Sequence, residues 1–243
     1  MLFRSNPLFT EALSQIPGTV SATKPSEFGS VLRPFIARSF ATGIGSSFAG
    51  IGPMAMAVFP DGSVLASGGA NRGSLFRFGV EGGEAINPLI TLEQPIFDLA
   101  LDLPTGSGLA SGLWATTGGG PLVRLDPDSG DILAQFGDGY TQALAIDPAT
   151  GRIYVSSYGG VDIFDPDTET FTHLSDLRVG NLAFAPDGTL WAAAWPSRGD
   201  VVRFDDDGEP ALMLRLDSPV DSLAFGQSGT RSEERRVGKE CRL

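Results

Sequence analysis

The chain has 243 residues, with 17 Lys+Arg against 29 Asp+Glu, a formal charge of −12, one His and one Cys. So acidic a chain opposes phosphate contacts, so neither nucleic acid nor an anionic membrane surface is an expected partner. A lone Cys cannot build a disulfide framework or a Cys-type zinc site, and no apolar run reaches the roughly 18 residues of a membrane span. The length admits one large all-β domain.

Residues 1–5 (MLFRS) resemble the reverse-strand translation of a common sequencing adapter and are set apart from the fold. Residues 6–50 form a less regular lead-in. Leu8, Phe9, Ala12, Leu13 and Ile16 share one face of a short helix at helical spacing. Residues 31–40 (VLRPFIARSF) read as one or two strands of a preceding, incomplete blade, and Pro34 confines them to an edge. Residues 41–50, rich in Gly and Ser, read as a loop.

From residue 51 the chain repeats itself. AMAVFPDG (55–62) returns as DLALDLPTG (98–106), ALAIDPATG (143–151), NLAFAPDG (181–188) and SLAFGQSG (222–229). Anchored on Ala57, Ala100, Ala145, Ala183 and Ala224, the spacings are 43, 45, 38 and 41 residues, the period of a four-stranded propeller blade. In each unit a small, apolar strand A ends at a Pro-Asp-Gly type turn. Strand B follows at 64–66, 113–115, 153–155 and 190–192, and strand C at 75–78, 122–125, 161–164 and 201–204. Three of the C strands alternate polar with apolar, the mark of a strand with one buried face. Acidic turns (DPDSGD, DPDTET, DDDGE) lead into strand D at 131–136, 170–174 and 211–216.

The expectation is therefore an all-β β-propeller fragment over 51–230, with four four-stranded blades and the start of a fifth. A native ring of six or more blades would continue beyond it. Residues 231–243 (RSEERRVGKECRL) hold five of the 17 basic residues and the Cys, and resemble the in-frame translation of the same adapter. They too are set apart. With Arg4 also removed, residues 6–230 carry 11 bases against 26 acids, a net charge of −15.

Propeller geometry sorts the candidate residues. Strand A lines the central channel; the connections entering strand A and the B–C loops share one rim, and the acidic turns lie on the other. Just before the anchoring Ala stand Asp98, Gln142, Asn181 and Asp221. Converging carboxylate and amide oxygens of this kind suit a divalent cation, calcium or zinc. The alternative is that they cap strand ends and bind backbone or channel water. Gln142 and Asp221 sit three before the Ala and Asp98 and Asn181 two before, so strand alternation would aim the pairs differently. The B–C loops add Arg72, Tyr158, Trp195 and Arg198, with Asn71, as a binding rim for a protein or small molecule. Trp114, Tyr154 and Trp191, on strand B, read as core or seam packing. Arg198-Gly199-Asp200 is a three-residue chance match; Asp205–Gly208 lacks the rest of a calcium loop, and Thr117–Gly120 lacks the Lys of a phosphate loop. His173, on an outer strand D, is remote from the channel, which leaves no histidine for acid–base chemistry there.

The strings NLAFAPDGTLWAAAWPSRGDVVRFDDDG and ALAIDPATGRIYVSSYGGVDIFDPDT resemble blades of gluconolactonase/senescence-marker and NHL-type propellers, and less closely those of streptogramin lyases. The resemblance implies the propeller fold over about 53–230. For the lactonases it also implies a divalent metal held by a Glu, an Asn and an Asp of channel strands, the Asp in a Pro-Asp-Gly-Leu-Ala frame. Val220-Asp221-Ser222-Leu223-Ala224 matches at Asp221. The equivalent frame at 179–183 has Gly180 instead, Asn181 is displaced by one, and no Glu corresponds. The lyases use an active-site His that this channel lacks. With its SVLRPFIARSFATGIG lead-in, the segment is also similar to propeller stretches of very large bacterial secreted or surface-attached repeat proteins. Two functions are therefore carried forward. One is a non-catalytic interaction platform or spacer of an extracellular or cell-surface protein; the other is a metal-dependent lactonase-like hydrolase.

Overall fold

The computed structural model describes residues 19–21, 30–32, 38–48, 50–102, 112–195, 199–217, 219–225 and 231–235. The helix expected around Leu8–Ile16 and most of the 31–40 stretch lie outside them. In the lead-in, β1 (Thr19–Ser21) pairs antiparallel with β2 (Ser30–Leu32), and β3 (Ala41–Thr42) runs parallel to β7 (Gly83–Glu84), so the loop expected at 41–50 begins as a short strand.

Blade 1 is the sheet β4 (Pro53–Val58), β5 (Val64–Gly68), β6 (Ser74–Phe78) and β8 (Ile90–Thr91). Blade 2 takes β9 (Asp98–Asp102), β10 (Gly112–Thr116), β11 (Gly120–Leu125) and the first half of β12 (Ile132–Ile146). The second half of β12 is strand A of blade 3, followed by β13 (Ile153–Ser157), β14 (Gly160–Asp165) and β15 (Thr170–Ser175). Blades 2 and 3 thus form one sheet of seven strands. Gly137 and Gly139, at φ 59° and 82°, let β12 turn between its two roles in a backbone region that favours glycine.

Blade 4 is β16 (Val179–Phe184), β17 (Leu190–Ala194), β18 (Gly199–Phe204) and β19 (Pro210–Leu216). β20 (Val220–Phe225) opens blade 5 and pairs antiparallel with β21 (Arg231–Arg235). Residues 231–235, set apart by composition, therefore occupy the place of a strand B. Main-chain pairing to an open strand edge makes few demands on side chains. No helix among the described residues is long and apolar enough to cross a membrane.

The A–B turns close as the Pro-Asp-Gly signature requires. Asp61 accepts the Ser63 N–H at 2.8 Å and Asp187 the Thr189 N–H at 3.1 Å. The C–D turns use Asp126 and Asp165 likewise, on the Asp128 and Asp167 N–H groups. Turn hydrogen bonds hold the Asp61, Asp126 and Asp187 carboxyls below the usual carboxylate range. Much of the acidic surplus is therefore turn architecture on the rim opposite the candidate site.

Blades pack by a repeated rule: small residues on one blade receive large ones from the next. Ala55 and Ala57 of blade 1 pack with Leu99 of blade 2. Ala143 and Ala145 of blade 3 pack with Leu182 of blade 4, and Ala183 of blade 4 with Leu223 of blade 5. At the seam of blades 2 and 3, Leu144 and Phe164 meet Trp114 and Phe136, with ring centroids 4.7–5.8 Å apart. The strand-B aromatics are seam packing, as expected; Trp114 is 3% exposed. Each such buried Leu contributes about 1.5–3 kcal/mol.

Candidate functional site

Three residues before the repeating Ala stand Met54, Phe97, Gln142, Gly180 and Asp221; two before it stand Ala55, Asp98, Ala143, Asn181 and Ser222. The registers of β4, β16 and β20 each skip one residue, namely Met54, Gly180 and Asp221. These are β-bulges, which bend a strand and re-aim its side chains. The bulges settle the phase conflict in the sequence, because the two positions have separate roles.

Two before the Ala, Asp98 and Asn181 stitch blades together. Asp98 Oδ2 accepts the backbone N–H of Leu144 in blade 3 at 2.9 Å, and Asn181 Oδ1 accepts that of Leu223 in blade 5 at 2.9 Å. Leu144 and Leu223 each immediately precede the anchoring Ala, so the two contacts are the same contact repeated at alternate seams. The second oxygen of Asp98 accepts the Leu99 N–H at 2.9 Å. Burial outweighs these bonds and pushes the Asp98 carboxyl up to about 7. Strand-B hydroxyls add to the stitching: Ser67 Oγ donates to the Ile96 carbonyl at 3.0 Å and Thr116 Oγ1 to that of Gln142 at 3.2 Å.

Three before the Ala, Met54, Phe97, Gln142 and Gly180 border a cavity of about 980 Å³ that also touches Asp98, Asn181 and Ser222. Three of the four expected channel residues thus share one space. Asp221 lies on β20 beside it, with a side chain outside those described. At Gly180 an added Cβ would stand 3.0 Å from Gln142 Nε2 and 3.2 Å from Trp195 Cε3, so glycine leaves room for the amide and the indole to converge.

Where they converge, a second cavity of about 190 Å³ opens on the rim, lined by Phe97, Gln142, Tyr158, Arg178, Trp195 and Gly118 among others. Tyr158 is 64% exposed, and the backbone N–H of Trp195 donates to the Arg178 carbonyl at 3.0 Å, tying the main chain of the two residues together at the mouth. Of the expected rim residues, Tyr158 and Trp195 line this cavity. Arg72 flanks it, its guanidinium 5.6 Å from the centroid of the Phe97 ring. Arg198 lies outside the described residues. Phe97 and Arg178 were not singled out from sequence, and Gly180 only as a departure from the lactonase frame; tabulating the column three before each Ala would have found Phe97.

The described side chains do not fit a divalent cation. Both Asp98 oxygens and the Asn181 oxygen already accept backbone N–H groups, and no group of three His, Cys, Asp or Glu side chains gathers among the described residues. His173 is on β15, bonded to Asp162 and Asp176, away from both cavities. Asp200 of the Arg-Gly-Asp triplet is bound bidentately by Arg215, at 2.6 and 2.9 Å.

The repeated sheets, with strand A of each on a shared channel, define the chain as a run of β-propeller blades. Solved structures agree at the level of fold. A gluconolactonase from Xanthomonas campestris aligns with a TM-score of 0.58 and 16% identity, covering 74% of this chain and 68% of its own. The Pan2 WD40 domain of Neurospora crassa aligns with a TM-score of 0.54 and 12% identity over 85% of this chain. The chain spans 62% of that domain's length. The extracellular domain of a putative hybrid two-component system from B. thetaiotaomicron aligns with a TM-score of 0.53 and 13% identity, covering 75% of this chain and 26% of its own. No protein-family model and no curated protein matches the sequence.

Proposed function

We propose that the chain is a non-catalytic propeller module that binds a protein or small-molecule ligand at its channel rim, within a larger bacterial extracellular or cell-surface protein. The observation that carries this reading is the division of labour before strand A. Asp98 and Asn181 are committed to joining blades, while Phe97, Gln142, Tyr158, Arg178 and Trp195 surround a cavity at the mouth. Aromatic faces with an amide and a guanidinium make a recognition surface. The likeness to a two-component system's extracellular domain supports the setting.

A second reading, a lactonase-like hydrolase with a divalent ion to activate water, draws on the gluconolactonase likeness and on the match of Asp221 to the lactonase frame. Calorimetric titration with calcium and zinc, beside a lactone-hydrolysis assay, separates the two. Tight metal binding lost in Asp221→Ala, together with hydrolysis, would establish the hydrolase and overturn the module. Absence of both, with a glycan- or peptide-array signal lost in Trp195→Ala and Tyr158→Ala, is the expected result.

A further inference from the structure

We infer that the rim cavity of about 190 Å³ takes a small aromatic carboxylate, its ring against Phe97 and Trp195 and its carboxylate on the Arg178 guanidinium. The inference rests on the rim-binding reading above and names the ligand class for that site. The walls come from blades 2, 3 and 4, whose shared seams are complete within the chain, so the cavity depends on neither end of the blade run.

Size sets the first limit. Drug-sized ligands occupy about 300–1,000 Å³, so this space admits one ring with a short substituent and not an oligomer. Close approach to glycine seats the aromatic walls. A Cβ at Gly118 would collide with the Phe97 ring, and one at Gly119 would stand 2.5 Å from the Tyr158 hydroxyl, so the B–C loop of blade 2 makes room for both. Gly180 does the same for Trp195, and Val179 adds a further apolar wall.

Charge sets the second limit. In a chain with 29 acids and 17 bases, Arg77, Arg152 and Arg215 each pair with an aspartate, at 3.7, 3.2 and 2.6 Å. The exposed Arg178 guanidinium has no hydrogen-bond or ion-pair partner among the described residues, and neither the Gln142 amide nor the Tyr158 hydroxyl makes a side-chain hydrogen bond there. Arg72 brings a second guanidinium against the Phe97 ring. The neighbouring carboxyls are occupied: Asp98 accepts two backbone N–H groups, Asp138 accepts that of Gly139, and Asp176 bonds His173. The uncommitted charges at the mouth are therefore cationic. A guanidinium fork binds a carboxylate bidentately, and Gln142 and Tyr158 are free to donate beside it. A polyhydroxylated ring would set hydroxyls against Phe97 and Val179, which return no hydrogen bond, and a bare inorganic anion would leave the aromatic walls uncovered.

Heteronuclear NMR of the full chain titrated with benzoate tests this through the indole N–H signals of its three tryptophans, with Trp195→Phe assigning the one at the cavity. Benzoate should shift the Trp195 signal saturably, with a midpoint at or below about 10 mM, and leave the seam residues Trp114 and Trp191 in place. Acetate and inorganic phosphate, which lack the ring, and benzyl alcohol, which lacks the charge, should each bind at least roughly tenfold more weakly. Arg178→Gln should weaken benzoate about tenfold, and Arg178→Lys, which keeps the charge without the fork, should weaken it less. Benzyl alcohol binding as tightly as benzoate, or an unaltered benzoate affinity in Arg178→Gln, overturns the role of the guanidinium. Glucuronate binding more tightly than benzoate overturns the aromatic class in favour of a sugar acid. If no probe moves the Trp195 signal while the glycan- or peptide-array signal persists, the ligand class is overturned and the rim-binding reading stands. If the arrays are blank as well, that reading falls with it.

Discussion

Asp98→Asn tests the inter-blade stitch where its chemistry is most exposed to measurement. The carboxyl, raised from 3.8 to about 7 by burial, binds a proton in the folded protein over a range where the unfolded chain has released it. Its contribution to stability is therefore largest below about pH 4, falls as pH rises, and levels off above about pH 7. Between pH 5 and 8 the loss amounts to ~2–3 kcal/mol, within a total of about 4 kcal/mol for the whole shift. The amide of Asp98→Asn does not ionise and escapes that loss. It offers one oxygen to two donors, the Leu99 and Leu144 N–H groups, and leaving one unmatched costs about 1–3 kcal/mol at every pH. Relative to wild type the variant should gain about 2–3 kcal/mol between pH 5 and 8 and be the more stable of the two at pH 8. Urea unfolding followed by tryptophan fluorescence, at constant ionic strength from pH 5 to 8, gives both curves. Other titrating groups cancel in the difference between the two proteins. A wild-type-minus-variant difference that stays constant over this range would show that Asp98 ionises freely and that the argument from burial is mistaken.

His173 is the chain's one histidine, so its NMR titration can be followed without ambiguity. Side-chain bonds to Asp162 at 2.9 Å and Asp176 at 3.0 Å raise it above the usual 6.5, so Asp162→Asn should lower the midpoint. The stability it contributes is present below pH 6.5 and is lost as pH rises through the folded midpoint, and His173→Gln should remove that dependence. Phe164→Ala, at a fully buried site among Trp114, Phe136 and Phe171, should cost about 3–5 kcal/mol in urea unfolding. Asp200→Ala leaves the exposed Arg215 fork without its carboxylate across β18 and β19 and should lower the urea midpoint slightly; an unchanged midpoint would mean the pair is dispensable.

The blades were legible because three local signals recur through the copies: apolar alternation at period two, a Pro-Asp-Gly or similar turn after strand A, and aspartates that close their own turns. Placing Trp114 in a seam and His173 on an outer strand needed nothing more. The division between the two pre-alanine positions was not legible. It depends on bulges at Met54, Gly180 and Asp221, and a bulge adds a residue with no compositional mark of its own. Gly180 reads in sequence as a missing ligand, whereas in space it makes room for Gln142 and Trp195. Arg178 became visible only when blades 3 and 4 were brought together, because its neighbours in the cavity come from other connections. The pairing of 231–235 was hidden for the opposite reason, since composition separated a segment that the backbone could still use.

The unbroken course of β12 has a mechanical consequence. An array whose units touch only their neighbours ordinarily comes apart at its joints, one unit at a time. Blades 2 and 3 have no such joint, because a single strand is the outer edge of one and the inner edge of the other. Pulled from its ends, the chain should release these two blades in one step, as a single unit of twice the contour length, while blades 1 and 4 peel away separately.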